Sequence, residues 1–391
     1  MFNLTLKDNS AERIRKGYPW VTTKSLQFAH NPDVTAGSLV TLVDNKQNPL
    51  AIGYYNPNTT LTCRVLTQDL TTPIDEAFFI KIFTRALGYR DRLFPTPFYR
   101  LIHAEGDNCP GLIIDRFGDT LVCQTSTAGM EALKPFWFKA LTQVLSPTRV
   151  IFRDNVALRA KEGLTLSVTA PIGELNGLIE VKENGALYFA DPSEGQKTGW
   201  FFDQRANRRW VSLQTKNKTV LDLYSYSGGF GLAAAMQNAA HVTMVDSSEK
   251  ALNLAKMASV ANKVEDRCDF IQSDIFDCLP RLIEENRQFD VVIVDPPAFV
   301  KLQSQLGAGL RGYQKLAKLA CQLVTPGGLF FMASCSHHAS PTDFRKTIEL
   351  GIQKADRTAT FLRKGGADKD HPIHRLLPEN HYLKSYAFQL D

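Results

Sequence analysis

Several features that mark particular classes of protein are missing from this 391-residue sequence. Nowhere do 18 uncharged apolar residues follow one another, which argues against a membrane-spanning helix. The opening stretch MFNLTLKDNSAERIRKGYPW has no apolar h-region, so we expect no secretory signal. The seven cysteines are an odd number and form no C-x-x-C pair, which favours reduced thiols and offers no zinc site. These absences together predict a cytoplasmic enzyme or binding protein without a membrane or metal partner.

The composition is that of an ordinary globular protein. It has 44% hydrophobic and 22% charged residues, and its length predicts two or three domains. The formal net charge of +5 is compatible with a polyanionic partner but does not prove one.

The first predicted domain covers residues 1–72. Residues 39–67 contain short apolar stretches separated by Asp-Asn and Asn-Pro turns, which are typical of a small barrel. Before them lies ERIRKGYPW, where basic side chains beside aromatic ones would hold phosphates and stack bases. The alternative is a solvated charged turn with its tryptophan anchoring the barrel. The candidate RNA-binding residues are Arg13, Arg15, Lys16, Tyr18 and Trp20.

The second predicted domain, residues 73–185, mixes helices and strands. IDEAFFIKIFTRALGYRDRL has apolar residues at helical spacing, and GLIIDRFGDTLVCQTS reads as two strands joined through Gly118 and Asp119. Asn-Gly pairs at 176–177 and 184–185 suggest a further hairpin.

In the third predicted domain, residues 186–391, buried strands alternate with helices. The predicted strands, each with function-type residues at its carboxyl end, are TVLDLYSYSGG, HVTMVDSS, CDFIQSD, FDVVIVDPP and GGLFFMASCS. This alternation predicts an α/β fold with a doubly wound parallel sheet, in which ligands bind outside the carboxyl ends of the strands.

Two cofactors fit the loop that follows the first of these strands. Residues 229–234 match the dinucleotide fingerprint G-x-G-x-x-A, which would suit NAD. Asp222 precedes the glycines, however, and a carboxylate there would oppose a pyrophosphate but would suit the ammonium group of S-adenosylmethionine. We therefore favour S-adenosylmethionine, with Asp246 on its ribose hydroxyls and Asp274 on its adenine amino group. The alternative for Asp274 is the N-cap of the next helix. The remaining candidates in these loops are Ser225, Gly229 and Ser247.

The fourth and fifth strands carry the candidate acceptor site. VVIVDPPAFVK holds Asp295 at a strand tip, and Ala298 stands where amino-methylating enzymes typically have an aromatic residue. The fifth strand ends at Cys335, so the two side chains should be neighbours. A thiolate that attacks C6 of cytosine makes C5 nucleophilic, and Asp295 would donate to N3. His337 and His338 are candidates for accepting the C5 proton, and the favoured alternative for both is helix capping or core packing.

The sequence resembles the RlmI/YccW-type 23S rRNA 5-methylcytosine methyltransferases along its whole length. The resemblance rests on KGYPW, GYYNP, EGDNCPGLIIDRFGD, QKTGWFFDQRANRR, YSYSGGF, DPPAFVK, SCSHH and PENHYLK. It implies a Rossmann-like class I methyltransferase sheet preceded by a small N-terminal PUA β-barrel and a central α/β domain. It also implies that Cys335 is the nucleophile and that Asp295 assists the target base. Asp295 is in addition a candidate cofactor-binding residue. The residues implied to surround S-adenosylmethionine are Lys197, Gly199, Phe202, Arg205, Asp222, Tyr224, Gly228, Asp246 and Asp274.

The leading hypothesis is therefore methylation of C5 of a cytidine in 23S rRNA or a precursor of the large ribosomal subunit. Three alternatives stay open: methylation of another RNA or another base atom, a non-catalytic RNA-binding assembly factor, and an NAD-dependent oxidoreductase. The sequence leaves a homodimer open and does not identify the target nucleotide.

Overall fold

A computed structural model describes residues 1–27, 34–193, 195 and 198–391. The chain divides into two compact units, and the predicted domain boundaries at 72/73 and 185/186 stay a prediction. The first unit comprises Met1–Ile179, Asp191–Trp200 and Lys369–Pro378, and the second comprises Glu180–Ala190, Phe201–Asp368 and Glu379–Asp391.

The first unit begins with a five-stranded sheet. Its strand order is β1-β3-β4-β5-β2, with β1 parallel to β3 and the other pairs antiparallel. The charged stretch before Lys16 is a helix, not a turn, because Ala11 and Ile14 recur at helical spacing and are buried. The elements are β1 (Phe2–Thr5), α1 (Asp8–Arg15), β2 (Trp20–Val21), β3 (Leu39–Val43), β4 (Pro49–Tyr55) and β5 (Cys63–Thr67).

A second five-stranded sheet completes this unit, in the order β10-β9-β8-β7-β6. The predicted long helix is present as α2, and its apolar face is buried in a core with Trp137. The elements are α2 (Glu76–Leu93), β6 (Phe98–His103), β7 (Leu112–Phe117), β8 (Thr120–Thr125), α3 (Ala128–Ala132), α4 (Lys134–Leu145), β9 (Arg149–Asp154), α5 (Ala157–Lys161) and β10 (Ser167–Ile172).

One of the two predicted Asn-Gly turns forms a hairpin. Strands β11 (Ile179–Glu183) and β12 (Ala186–Ala190) are joined by Asn184 and Gly185, whose φ angles of 52° and 83° suit a tight hairpin turn. At the other pair, Arg149 donates hydrogen bonds to the carbonyl oxygens of residues 174–177. That turn precedes the hairpin and does not form one.

The second unit is built on a seven-stranded sheet in the order β15-β14-β13-β16-β17-β19-β18. Its first five strands are parallel, as predicted, whereas the last two are antiparallel to their neighbours. The strands are β13 (Thr219–Leu223), β14 (His241–Asp246), β15 (Cys268–Gln272), β16 (Phe289–Val294), β17 (Val324–Ser334), β18 (Ala359–Gly366) and β19 (Lys384–Leu390).

Helices accompany these strands, so the predicted α/β class is confirmed. The chain order reverses between β13 and β16, and such a switch point opens a crevice at the carboxyl ends of the strands. In the described part of the chain, no helix is both long and apolar enough to cross a membrane. The helices are α6 (Arg205–Ser212), α7 (Gly229–Met236), α8 (Glu249–Ala261), α9 (Ile275–Glu284), α10 (Leu306–Cys321) and α11 (Pro341–Gln353).

Candidate active site

The loop between β13 and α7 is tightly coiled. Tyr224, Tyr226 and Gly228 all have left-handed backbone conformations, with φ angles of 62°, 49° and 83°. The Ser225 N–H donates to the carbonyl oxygen of Val245, which ties the loop to the neighbouring strand β14. Gly228 leads into α7, and a Cβ atom there would lie 2.8 Å from the Leu232 side chain. The local backbone therefore requires this glycine, as both its φ angle and its packing show.

Asp222 is a buried carboxyl group in the crevice, close to the end of β13. Its Oδ2 accepts a hydrogen bond of 2.7 Å from the Gly231 N–H, at the start of α7. Burial raises the pKa of Asp222 to about 8, and the charges of Asp295 and Asp246 act in the same direction. A cation beside this carboxyl group would favour its ionised form.

Three polar atoms beside this loop fit a bound polar ligand. Asp222 Oδ1 and the hydroxyl groups of Ser225 and Ser227 are buried, and within the described ranges they have no hydrogen-bond partner. Buried polar atoms are normally hydrogen-bonded, so a ligand with donor groups would satisfy them. The ammonium group and hydroxyl groups of S-adenosylmethionine are such donors.

Asp246, at the end of β14, organises two loops. Its Oδ2 accepts from the Tyr226 N–H and its Oδ1 from the Ser248 N–H, both at 2.9 Å. Ionised carboxylate oxygens accept more than one hydrogen bond, so capacity remains for a diol. Ser247 lies exposed beside it. This geometry suits the predicted contact with ribose.

Asp274 is exposed at the end of the third strand, and it is the N-cap of α9. Its Oδ1 accepts a hydrogen bond of 2.7 Å from the Phe276 N–H. Asp274 thus has the N-cap role that was the alternative to cofactor binding, and a contact between Asp274 and adenine stays a prediction.

Asp295 follows β16 directly and is held from two directions. Its N–H donates to the Leu223 carbonyl oxygen at 3.3 Å, and its Oδ1 accepts from Gln204 Nε2 at 2.8 Å. Asn207 donates in turn to Gln204 Oε1 at 2.7 Å. The sequence reasoning missed Gln204, although it lies within the quoted motif QKTGWFFDQRANRR. The amide group fixes the orientation of the carboxyl group that the proposed chemistry uses.

Cys335 stands at the end of β17, the strand that pairs with β16. It is half-buried, whereas the other six cysteines are buried. Ser334 and Ser336 on either side are buried, and each shares a hydrogen bond with the Tyr313 hydroxyl group, at 2.9 and 2.8 Å. The backbone around the cysteine is therefore anchored while its side chain is partly accessible.

The segment QKTGWFFDQRANRR, which holds four of the residues implied to surround the cofactor, is described in part. Lys197 lies outside the described residues, and Gly199, with a φ angle of 102°, belongs to the first unit. Phe202 is fully buried, and the Arg205 guanidinium lies 5.0 Å from the centre of its ring. Arg205 also pairs with the carboxylates of Glu183 and Asp368, at 3.6 and 3.4 Å. Its role as a cofactor ligand stays a prediction.

The two histidines behind Cys335 are exposed, so core packing is wrong for both. His337 stacks on Tyr382, with ring centroids 5.3 Å apart. The following helix, α11, is capped by the side chain of Ser340.

The basic stretch near the N-terminus is partly engaged within the protein. Arg15 pairs with Asp44 at 2.5 Å, and the Trp20 indole N–H donates to Glu105 at 2.8 Å. The Arg13 guanidinium lies 3.8 Å from the centre of the Tyr18 ring. Lys16 is 70% exposed. Trp20 therefore anchors this stretch to the protein, as the alternative to RNA binding predicted. Contact of these residues with RNA stays a prediction.

No group of three His, Cys, Asp or Glu side chains that would hold a metal ion occurs among residues 1–27, 34–193, 195 and 198–391. The absence of a metal from the reaction stays a prediction.

The parallel sheet with its switch point and the acidic strand ends are those of an S-adenosylmethionine-dependent methyltransferase, which here follows a separate N-terminal five-stranded sheet. Family models support both parts. The model for S-adenosylmethionine-dependent methyltransferases matches residues 169–356, and that for the PUA-like domain matches residues 4–68.

Similar proteins cover the whole chain. Ribosomal RNA large subunit methyltransferase I from Enterobacter sp. (strain 638) is 35% identical over 390 residues, 98% of each chain. The protein of that name from Salmonella arizonae is 35% identical over 392 residues, 98% of this chain and 96% of its own. The crystal structure of SMU.776, a methyltransferase-like protein complexed with S-adenosylhomocysteine, shares the fold at a TM-score of 0.86 and 22% identity, with both chains fully covered. The chain belongs to the ribosomal RNA large subunit methyltransferase I family.

Proposed function

We propose that this protein methylates C5 of a cytidine in 23S rRNA through a covalent bond to Cys335. One observation carries the proposal: a half-buried cysteine ends β17, directly beside the strand that ends in Asp295. The name that the 35% identical relatives share supports rRNA of the large subunit as the substrate. The half-buried state of Cys335 supports a reactive role, since buried cysteines behave as small hydrophobic residues.

The chemistry starts at the sulfur atom. The Cys335 thiolate adds to C6 of the cytosine ring, which breaks the C5–C6 double bond and makes C5 electron-rich. Asp295 donates a hydrogen bond to N3 and stabilises the electron density that accumulates on the ring. When bound, S-adenosylmethionine supplies the electrophilic methyl group that C5 takes up. Loss of the C5 proton to a base then restores the double bond and expels the Cys335 thiolate.

The chain's own residues place the cofactor. Asp222 would pair with its ammonium group, Asp246 with its ribose and Asp274 with its adenine. Ser225 would donate to it or accept from it, because its hydroxyl group is buried and has no partner within the described ranges. Tyr224, Gly228 and Gly229 form the loop beside it, and Ser247 lies next to Asp246. These assignments follow from the acidic strand ends and from the polar atoms described above.

The glycine fingerprint does not indicate NAD. A Cβ atom at Gly229 would lie 2.7 Å from Arg208 Nε, and one at Gly231 would lie 2.6 Å from the Met244 side chain. Close packing within the protein thus explains both glycines. Since the chain belongs to a methyltransferase family, the oxidoreductase hypothesis is dropped.

The N-terminal barrel would dock the RNA. Arg13 and Lys16 are the basic side chains we assign to phosphates, because Arg15 is held by the buried Asp44 at 2.5 Å, whereas Lys16 pairs with the exposed Glu12, at 3.4 Å. Binding should weaken steeply with salt, as phosphate contacts require. We keep a cytoplasmic location as part of this proposal, and the large-subunit precursor as an alternative form of the substrate.

Undermodified 23S rRNA, incubated with the purified protein and methyl-labelled S-adenosylmethionine and then digested to nucleosides, tests the proposal. We expect label in 5-methylcytidine with the wild type and none with Cys335→Ala. Cys268→Ala is the matched control, because Cys268 is buried on β15 and should leave labelling unchanged. Label in another nucleoside that survives Cys335→Ala would favour another base atom instead. No label in any nucleoside, with retained RNA binding, would favour a non-catalytic assembly factor.

A further inference from the structure

Lys384 is a buried cation at the first residue of β19. It is 3% exposed, and the register of β17 and β19 places it opposite Ser334, the residue before Cys335. Its Nζ donates to the carbonyl oxygen of Ser336 at 2.5 Å and to that of Tyr382 at 3.1 Å. The ammonium group is therefore held against the carbonyl oxygen of the residue after the candidate nucleophile, while the Lys384 backbone pairs with the residue before it.

This cation has no carboxylate partner within the part of the chain that the structure describes. Its two acceptors there are backbone carbonyl oxygens, and an ammonium group has three donors. A buried ammonium group without a counter-ion is costly, because desolvation disfavours its charge. Burial accordingly lowers the pKa of Lys384 to about 8, and the charge of Cys335 opposes that effect. Cys335 is the ionisable group whose charge acts on Lys384.

We propose that Lys384 is the counter-ion of the Cys335 thiolate and keeps the nucleophile ionised at neutral pH. The inference rests on the proposed function for its catalytic meaning, but the ion pair itself does not depend on it. The coupling is reciprocal: a thiolate that favours the ammonium form of Lys384 is itself favoured by that ammonium group. Lys384 acts through Cys335, so it is a positioning residue.

Other titratable groups surround the cysteine on neighbouring elements. The hydroxyl group of Tyr313 on α10 forms hydrogen bonds with both flanking serines. Burial raises the pKa of Tyr313, its hydrogen bonds lower it, and the charge of Cys335 raises it further. Asp295 follows the adjacent strand, and His337 and His338 lie exposed in the loop after Cys335. Tyr313 is neutral near pH 7 and Asp295 is acidic, so neither supplies a fixed positive charge. Lys384 is the buried residue of this group that does.

Alkylation of the full-length protein by iodoacetamide between pH 5.5 and 9.5 measures the ionisation of Cys335. The thiolate is the reactive form, and the other six cysteines are buried. Cys335→Ser identifies the adduct. For Lys384→Met we expect alkylation at pH 7 to slow about tenfold, equivalent to a rise of about one unit in the thiol pKa. Lys384→Arg keeps the charge and should stay within about threefold of the wild type. Lys364→Met, at an exposed position of β18, is the matched control.

An unchanged pH midpoint in a folded Lys384→Met would overturn the proposal. If that variant fails to fold, the difference in thiolate absorbance at 240 nm between wild type and Cys335→Ala replaces it. A midpoint at least one unit below the usual value of about 8.5 supports the ion pair, and a midpoint at or above that value refutes it. Neither measurement needs RNA or cofactor. Failure of the ion pair and failure of cytosine methylation are therefore separate results.

Discussion

Gln204 Nε2 donates a hydrogen bond of 2.8 Å to Oδ1 of Asp295. Gln204 itself is 3% exposed and is held by Asn207. In the proposed reaction the carboxyl group of Asp295 must point at N3 of the cytosine, so its orientation affects the rate. An amide donor that is itself fixed restricts that direction before substrate arrives.

Replacing Gln204 should therefore slow catalysis more than it weakens binding. For Gln204→Leu we expect kcat to fall several-fold, up to about tenfold, because an intramolecular hydrogen bond contributes about 0.5–1.5 kcal/mol and about 1.4 kcal/mol is tenfold in rate. The KM for S-adenosylmethionine should change less than about threefold. Steady-state kinetics on undermodified rRNA measure both constants. Gln214→Leu, at an exposed position beyond α6, is the control, and equal kinetics for the two variants would contradict the role of Gln204.

The buried carboxyl group of Asp222 makes the stability of the protein depend on pH. Its pKa is about 8 in the folded chain and 3.8 when unperturbed, so the folded state binds the extra proton between these values. The stabilisation is complete below about pH 4 and is lost as pH rises towards 8. Asp222→Asn removes this titration.

Urea unfolding at pH 5.5 and 8.5 measures the effect. Relative to wild type, Asp222→Asn should gain stability at the higher pH, while the exposed control Asp266→Asn should follow the wild type at both. Parallel behaviour of all three proteins would contradict the raised pKa. Added S-adenosylhomocysteine should stabilise the wild type at pH 8.5 but stabilise Asp222→Asn much less, because the amide lacks the charge that pairs with an ammonium group.

A covalent bond to Cys335 should be trapped when the C5 proton is replaced by fluorine. Fluorine is not released as a cation, so the step that expels the thiolate cannot proceed. We expect 23S rRNA transcribed with 5-fluorocytidine to form a denaturant-resistant complex with the wild type in the presence of S-adenosylmethionine. Gel electrophoresis in SDS detects it. Cys335→Ala should form none and Cys268→Ala should form it normally. Methylation of ordinary rRNA without any trapped complex would argue against the covalent route.

Gly228 and Gly185 provide a matched pair for the loop before α7. Both have a φ angle of 83°, but a Cβ atom at Gly185 would meet nothing within 4 Å, whereas one at Gly228 would meet Leu232 at 2.8 Å. Gly185→Ala should cost about 1 kcal/mol of unfolding free energy through backbone strain, and Gly228→Ala about 2–3 kcal/mol because a clash is added. Urea denaturation compares them. Equal losses would show that the loop relaxes around the added methyl group.

The parallel part of the large sheet could be predicted from the sequence, because local apolar patterns there specify strands and helices unambiguously. The apolar runs of β13 to β17 are long enough to be strands, and their alternation with helices specifies a parallel sheet. Helix α1 was missed because only Ala11 and Ile14 form its buried face, and eight residues that are otherwise polar or charged give little helical periodicity. The last two strands, β18 and β19, were also missed, because their antiparallel pairing breaks the alternation.

The sequence alone determined the class of protein, since Asp222, Asp246 and Cys335 each follow an apolar run that becomes a strand of one parallel sheet. Tertiary structure decided which side chains support them. Gln204 precedes Asp295 by 91 residues, and Lys384 follows Ser336 by 48. No local pattern links residues so far apart, and their contacts depend on the register of β17 and β19 and on helix α6, whose Asn207 holds Gln204. The role of a buried lysine or glutamine can therefore be inferred only from its contacts in the folded protein.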